Sequence, residues 1–395
     1  MAFEERLALA PMMDVSDVYF RSLLRLLTKR TVLYTEMVVD DTINHTSAEA
    51  LDFFIGRHPG IFPSVIQLGG SNPETLAAAA ERCGRYDAGY GEINLNAGCP
   101  SSRVAKRCFG AQLMLKPELV REIVYSMKRV VSCGVTVKCR LGVAGKRDTY
   151  EHLVEFISAA HAGGANKFII HSRDCVLEGL STKQNRDIPP LRYDVVHQLC
   201  NDFPDLTFIL NGGLLTLGDA KKHLKHFSPT PATMSPGAVQ SFFEGESGGV
   251  GEGRGALPPV HGVMIGRAVQ NDPLLFATAD SGFFGEADPM SSRRALLDAY
   301  CDYCDWVQGD EGPAREVGGK TVRVSAALLI NAMRNTMTGL RNCKRYLRAL
   351  NDVYVEKVRA SEYPSASEII QTAILQIAPE DLDAPLSPYV AATDV

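Results

Sequence analysis

The sequence predicts a (β/α)8 barrel followed by an all-helical domain. Three observations carry this. Eight short β-rich runs recur between residues 7 and 265, each followed by enough chain for one helix, a span over which a doubly wound sheet seldom continues. The intervening segments have helical periodicity. From about residue 286 the β-rich runs stop and only helical patterns remain.

The eight runs are Leu7–Ala10, Thr31–Thr35, Ser64–Leu68, Glu92–Leu95, Val135–Cys139, Lys167–His171, Thr207–Leu210 and Gly262–Ile265. After the third, Ser71-Asn72-Pro73-Glu74 spells a capping box with proline at the first helical position, so a helix starts directly there. After Lys116-Pro117-Glu118, the residues Leu119, Val120, Ile123, Val124, Met127 and Val131 form one apolar face; Leu153, Ile157 and Ala160 do the same in the next segment. Residues 228–259 are dense in Gly, Pro and Ser and carry no period. They read as a flexible insertion before the eighth strand, either a surface loop or a regulatory or partner-binding arm. Beyond the barrel, Arg293–Val307, Val324–Met337, Cys343–Val358 and Ser365–Ile377 read as helices. The expected organisation is a barrel over 1–285 with its insertion, a helical domain over 286–380, and a tail over 381–395.

Composition bounds the function classes. With 45% hydrophobic and 22% charged residues in a chain of 395, the profile is ordinary for a globular protein and excludes a collagenous, coiled-coil or wholly disordered chain. No apolar run reaches the ~18 residues of a membrane span, and the start MAFEERLALAPMMD carries acids where a targeting peptide wants basic or apolar residues. The expectation is a soluble intracellular protein, cytoplasmic, with an organelle left open. Ten cysteines are a low density for this length, so reduced thiols are expected. Cys301 and Cys304 have metal-ligand spacing but no second pair, and read as two thiols on a helix face rather than a zinc site. The net charge of −5 means that a nucleic-acid partner must be gripped by a local patch.

In such barrels the chemistry sits where strands end. The first run exits as Pro11-Met12-Met13, which offers backbone groups and a soft apolar surface to a flat ring. The third exits at Gln67, a carboxamide that is both donor and acceptor. The fourth leads through Asn96 to Cys99, the fifth carries Lys138 and Arg140, and the sixth ends at His171. A thiol, an amine and an imidazole on one rim are more than three isolated core residues would give. The seventh run ends Asn211-Gly212-Gly213 and the eighth Gly266-Arg267, glycines that let backbone N–H groups approach an anion, with an arginine beside them. Together these exits suggest a phosphorylated planar cofactor over the barrel axis. No GxGxxG follows the first strand, which disfavours a resident Rossmann-bound nucleotide; flavin mononucleotide (FMN) fits the set.

These residues reach a resemblance. Ala10-Pro11-Met12-Met13-Asp14, Leu33-Tyr34-Thr35-Glu36-Met37, Gln67-Leu68-Gly69-Gly70, Glu92 through Ser101, Val135 through Lys138, His171, Glu178 through Ser181, Asn185 through Leu191 and Asn211-Gly212-Gly213 resemble the tRNA-dihydrouridine synthases, in particular the A-type subfamily. The resemblance covers 7–226 and 261–273, and its most specific motifs are NLNxGCP and NRxIPPL. It implies FMN-dependent reduction of the C5–C6 double bond of a D-loop uridine of tRNA, at position 20 and often 20a, with NADPH as reductant. By the same match Cys99 is the acid that protonates C5; an ordinary thiol is mostly protonated at neutral pH, and Cys99 is expected in a flexible Gly-Cys-Pro loop. Lys138 falls at the flavin N1/O2 edge, His171 on the flavin or phosphate side, and Asn96 at the uracil edge. Lys183 and Arg186 match an RNA-contact pair, and Arg341 with Lys344 resemble its partner in the helical domain.

From Val317 to Asn351 there is no Asp or Glu, but there are Lys320, Arg323, Arg334, Arg341, Lys344, Arg345 and Arg348. Arg334, Arg341, Arg345 and Arg348 share one stripe only if a helix runs through Gly339, which the glycine opposes. Beside a uridine-reducing barrel this stretch reads as a phosphate grip. The expected partners are therefore tRNA and NADPH, with no membrane and no metal, and the chain is expected to be a monomer. Two rival readings are an FMN barrel acting on a free pyrimidine, of the dihydroorotate-dehydrogenase type, and a catalytically silent RNA-binding protein. The appended basic helices argue against the first, and the joint presence of Cys99, Lys138 and His171 against the second.

Overall fold

Eight parallel strands close on themselves in sequence order: β1 (Leu7–Leu9), β2 (Val32–Val39), β3 (Ser64–Gly69), β4 (Glu92–Ala97), β5 (Gly134–Arg140), β6 (Lys167–His171), β7 (Thr207–Asn211) and β8 (Gly262–Ile265). The barrel that the β-α alternation predicts is thus present. The structure, a computed structural model, describes residues 4–47, 51, 54–56, 58, 60–85, 90–101, 104, 108–225, 257–310, 312–313, 315–317, 320–359 and 363–386. Most of the predicted insertion, 228–256, lies outside the described residues, as does the end of the predicted tail from 387.

The described helices, in chain order, are α1 (Val18–Leu27), α2 (Asp40–His45), α3 (Pro73–Gly84), α4 (Pro117–Lys128), α5 (Tyr150–Ala162), α6 (Gln184–Asp187), α7 (Tyr193–Asp202) and α8 (Leu217–Lys222). They continue with α9 (Arg267–Asn271), α10 (Ala279–Phe284), α11 (Arg293–Gln308), α12 (Ala326–Met333), α13 (Cys343–Arg359), α14 (Ala366–Ile374) and α15 (Pro379–Asp383). At α3 the cap is Asn72 rather than Ser71: its side chain accepts from the N–H groups of Glu74 and Thr75, with Pro73 in the first turn.

The chain divides into two compact units, Met1–Ala10 with Met37–His45 and Ser64–Ile265, and Pro11–Glu36 with Thr46–Pro63 and Gly266–Val395. In the first unit the period-2 alternation of the strands sorts chemistry between two faces. Along β4, Ile93, Leu95 and Ala97 alternate with Glu92, Asn94 and Asn96, all of them buried. The parallel register sets Asn94 beside Thr136 and Asn96 beside Lys138. The polar face forms a column inside the barrel. Gln67 donates to Asn94 (2.8 Å), Asn94 to Thr136 (2.9 Å) and Thr136 to Glu92 (2.7 Å), and Lys167 bridges Glu92 and Glu5 at the floor. The apolar face packs under helices whose buried residues recur at helical spacing, such as Val120, Ile123, Val124 and Met127 on α4 and Leu153, Phe156, Ile157 and Ala160 on α5; each fully buried large side chain contributes about 1.5–3 kcal/mol.

In the second unit α1 starts at Asp17, whose side chain accepts from the Phe20 N–H at 2.8 Å, and it packs against α11 and α12. Tyr300 on α11 donates to the Leu329 carbonyl (3.0 Å) and Tyr346 on α13 to the Met333 carbonyl (3.1 Å), so buried hydroxyls tie these helices together. Two expectations are corrected here. Strands do not stop at 286, because Arg315–Val317 and Lys320–Val322 pair antiparallel; the Gly318-Gly319 sequence between them is a two-residue hairpin signal. The helix predicted over 324–337 is shorter, α12 ending at Met333 with Arg334 as its C-cap. The four arginines do not share one helix face, as Gly339 opposes: it is left-handed (φ 81°) and α13 begins only at Cys343.

Candidate active site

The fourth strand delivers Asn96 to the C-terminal mouth of the barrel, and the chain then turns through Gly98 and Cys99. The Asn96 side-chain oxygen accepts from the N–H groups of Gly98 (3.2 Å) and Cys99 (3.0 Å), while its amide nitrogen donates to Gln67 at 2.8 Å. On the other side the Cys99 carbonyl accepts from the Ala111 N–H (3.0 Å). Gly110, at φ 63°, lets that approach happen: a Cβ there would stand 2.7 Å from the Cys99 oxygen. The loop expected to be flexible is therefore held from both sides at Cys99. Burial pushes the thiol up from its ordinary pKa, opposed by the Ser101 N–H and then by the Arg140, Lys138 and Arg186 cations. A protonated thiol ringed by three cations can release a proton and leave a stabilised anion.

Lys138 is buried and its ammonium donates to the Asn211 side-chain oxygen at 2.9 Å. Burial, then the neighbouring Arg140, pull its pKa down to about 8. Asn211 in turn donates to the Met264 carbonyl (2.9 Å). His171 stands beside Arg140 and Asn211 in strand register. Burial first, and the surrounding Arg140 and Lys138 charges second, hold its imidazole well below the usual range, so it is neutral at physiological pH. Gly212 has φ 108°, and any Cβ there would come within 2.7 Å of the His171 ring. The N–H groups of Gly212 and Gly213 take no acceptor among the described residues, which leaves two donors available at the end of β7 for an anion.

Gln67, Asn96, Cys99, Lys138, His171, Asn211, Gly212 and Gly213 thus come together in the first unit, and Lys183 (exposed) and Arg186 (half-buried) follow on the loop after β6. Pro11, Met12, Met13, Gly266, Arg267, Arg341 and Lys344 lie in the second unit. There the Met12 N–H donates to the Ser16 hydroxyl at 2.9 Å and Met13 is 51% exposed. Gly266 caps α9, and Arg267 reaches the Gln270 side chain. Arg341, Lys344, Arg345 and Arg348 are exposed while Tyr346 and Leu350 of α13 are buried, so the helix turns its basic side outward.

Two residues carry more of the site than their sequence positions announced. Arg140 is 2% exposed and donates from Nε to the Gly98 carbonyl (3.1 Å) and from Nη1 to the carbonyls of Asp174 and Asn185 (2.9 Å each). Its same-face spacing from Lys138 was the available signal. Tyr193, on α7, donates to the Gly212 carbonyl at 2.8 Å; nothing in its sequence context pointed to that. Among the described residues no group of three or more His, Cys, Asp or Glu is placed to hold a metal ion, and Cys301 and Cys304 are buried on α11. Nor is any described helix long and apolar enough to cross a membrane.

A closed parallel barrel with a thiol, an amine, an imidazole and free glycine N–H groups at its strand ends has the build of a (β/α)8-barrel enzyme. Comparison with known proteins makes the class specific. Residues 8–235 match the family described as dihydrouridine synthase (Dus). The chain is 40% identical over 298 residues to a tRNA-dihydrouridine(20/20a) synthase of Pseudomonas syringae pv. tomato, covering 75% of this chain and 77% of that protein. It is 35% identical over 379 residues to the protein of the same name from Vibrio vulnificus, covering 96% and 98%, and 40% identical over 299 residues to that of Synechocystis sp., covering 76% and 78%. The chain belongs to the dihydrouridine synthase family, whose members are flavin-dependent oxidoreductases.

Proposed function

We propose that this chain reduces uridine to 5,6-dihydrouridine in the D-loop of tRNA, at position 20 and at 20a, using FMN and NADPH. The observation that carries the reading is the thiol of Cys99, held by its backbone at the mouth of a dihydrouridine synthase barrel with Arg140, Lys138 and Arg186 around it. The free N–H groups of Gly212 and Gly213 suit a phosphate, and Gln67 and Lys138 offer donors to a flat ring with carbonyl and imine edges. On this reading FMN is held by Pro11, Met12, Met13, Gln67, Lys138, His171, Asn211, Gly212, Gly213, Gly266 and Arg267. FMN held there and reduced by NADPH would supply hydride chemistry at C6 of uracil.

The chain's own residues do the rest. Cys99 Sγ gives its proton to C5 on the opposite face and takes one back from solvent. Arg140, Lys138 and Arg186 stabilise the transient thiolate. Asn96 keeps one side-chain N–H for the uracil edge, the other being committed to Gln67. Lys183, Arg186, Arg341 and Lys344 contact tRNA, and the helical segment 286–380 grips it. We further propose that the chain acts as a cytoplasmic monomer. The test is mass-spectrometric counting of dihydrouridine in tRNA from a host lacking its own synthases, incubated with the purified protein, FMN and NADPH. Dihydrouridine at 20 and 20a is the expected result. A free pyrimidine reduced in its place would overturn the assignment.

A further inference from the structure

We propose that Arg140 is the positioning residue for the proton donor, setting the Cys99 loop and joining it to the loop that presents Lys183 and Arg186, so that seating the RNA and placing the thiol are one event. The proposal rests on the reading of Cys99 as the donor.

One guanidinium spans two loops. Its Nε–H holds Gly98, the residue before Cys99, and both protons of Nη1 are used on Asp174 and Asn185, near the two ends of the loop after β6. That loop is locked around the same point. Asn185, fully buried, accepts from the Val176 N–H (2.8 Å) and donates back to the Val176 carbonyl (2.8 Å), closing the segment that leads to Arg186. Asp174 is fixed in turn by a two-toothed contact from Arg192, 2.9 Å to each oxygen. A displacement of the RNA-contact loop is therefore transmitted to Gly98 through a rigid planar fork rather than through a flexible chain.

The electrostatics point the same way. Arg140 makes no ion pair among the described residues; three carbonyls and no carboxylate hold a buried cation. Carbonyls do not neutralise a charge, so for stability alone this is a costly arrangement that a neutral donor would improve. Its use is toward the sulfur. The groups that face Cys99 are Lys138 and Arg140 from β5, Arg186 from α6 and the thiol of Cys175 from the loop after β6, and among these the largest cationic influence is that of Arg140.

Two substitutions separate the fork from the charge. Arg140→Lys keeps a cation but cannot span three carbonyls; turnover on tRNA is expected to fall by about 10–100-fold, in kcat rather than KM, as a misplaced reacting group requires. Arg140→Gln loses both, and alkylation of Cys99 by iodoacetamide, followed by mass spectrometry of the peptide that contains it, is expected to need a higher pH than in the wild type, whereas Arg140→Lys keeps the wild-type alkylation profile. Wild-type kcat in Arg140→Lys would overturn the positioning role, and an unmoved alkylation profile in Arg140→Gln would overturn the electrostatic one. If Arg140→Gln does not fold, as judged by circular dichroism, Arg140→Lys carries the test alone. Alkylation reads the environment of the sulfur whatever its catalytic role, while Cys99→Ala turnover judges the donor reading by itself.

Discussion

Lys138 carries charge where the barrel least tolerates it, with a neutral amide oxygen as its partner at 2.9 Å. Its folded pKa of about 8 against an unfolded value of 10.5 means that the cost is fully present below pH 8 and is lost as pH rises through 10.5, above which both states are neutral. Lys138→Met should therefore abolish turnover yet stabilise the protein at pH 7 by up to about 3 kcal/mol, less whatever the bond to Asn211 contributes. Urea unfolding at pH 7 and pH 10 checks this, since the gain must shrink at the higher pH. Cys99→Ala should cut dihydrouridine formation by about 10²–10⁴-fold, the usual effect of losing a general acid, while NADPH still reduces the flavin. Turnover at the wild-type rate would place the proton donor elsewhere. Cys99, Lys138 and His171 were legible in the sequence because strand ends are identifiable and their side chains titratable. Arg140 was legible as a strand-end cation but its role was not, nor was that of Tyr193, because both roles lie in which carbonyl they reach.

At the level of elements, α13 separates its two tasks by face. Its exposed arginines and lysine stand opposite buried Tyr346 and Leu350. Replacing Arg341 and Lys344 together with Ala should weaken tRNA binding and reduce its salt slope by about two units, one per lost phosphate contact. Leu350→Ala should instead cost about 2–5 kcal/mol of stability. Equal salt dependence in the double mutant and the wild type would show that this face does not meet phosphate. A second pairing of elements concerns α7 and α8. His197 and His223 meet at 3.1 Å, the former also contacting the Pro258 carbonyl at 2.8 Å. Burial, then the neighbouring His197, lowers His223 to about 4, and burial lowers His197 too. Neutral imidazoles are thus required in the fold, so stability is intact above pH 6.5 and lost as pH falls from there toward 4; thermal melts across that range should show it, and His223→Asn should blunt it. Helix starts such as Asn72-Pro73 could be read from local chemistry. The pairing of Arg315–Val317 with Lys320–Val322 was not legible, because strands of three residues are too short to show a period.

Across the whole molecule, the barrel was legible because a strand and a helix each impose a fixed period on apolar residues. Its polar interior was not. Glu92, Asn94 and Asn96 alternate plainly enough in the sequence, but whether such a face meets water or its own kind depends on closure of the sheet. The composition of the second unit was equally hidden: α1 comes early in the chain yet packs with α11 and α12, and no local pattern announces a contact across that separation. Replacing 228–256 with a short linker should leave turnover and the salt slope of tRNA binding unchanged, because the chain on either side is already fastened by the Val260 N–H on the His223 carbonyl at 3.1 Å and by His197 on Pro258.

That fastening makes His223 and Pro258 two secured ends between which chain of another sequence can be grafted. A foreign domain whose termini lie close together, a fluorescent protein for instance, could be spliced there without asking the barrel to reopen, since loop length is thermodynamically cheap once its ends are secured. The enzyme would then carry its own reporter on a permissive site, and its movement onto tRNA could be followed in a living cell by light rather than by chemistry.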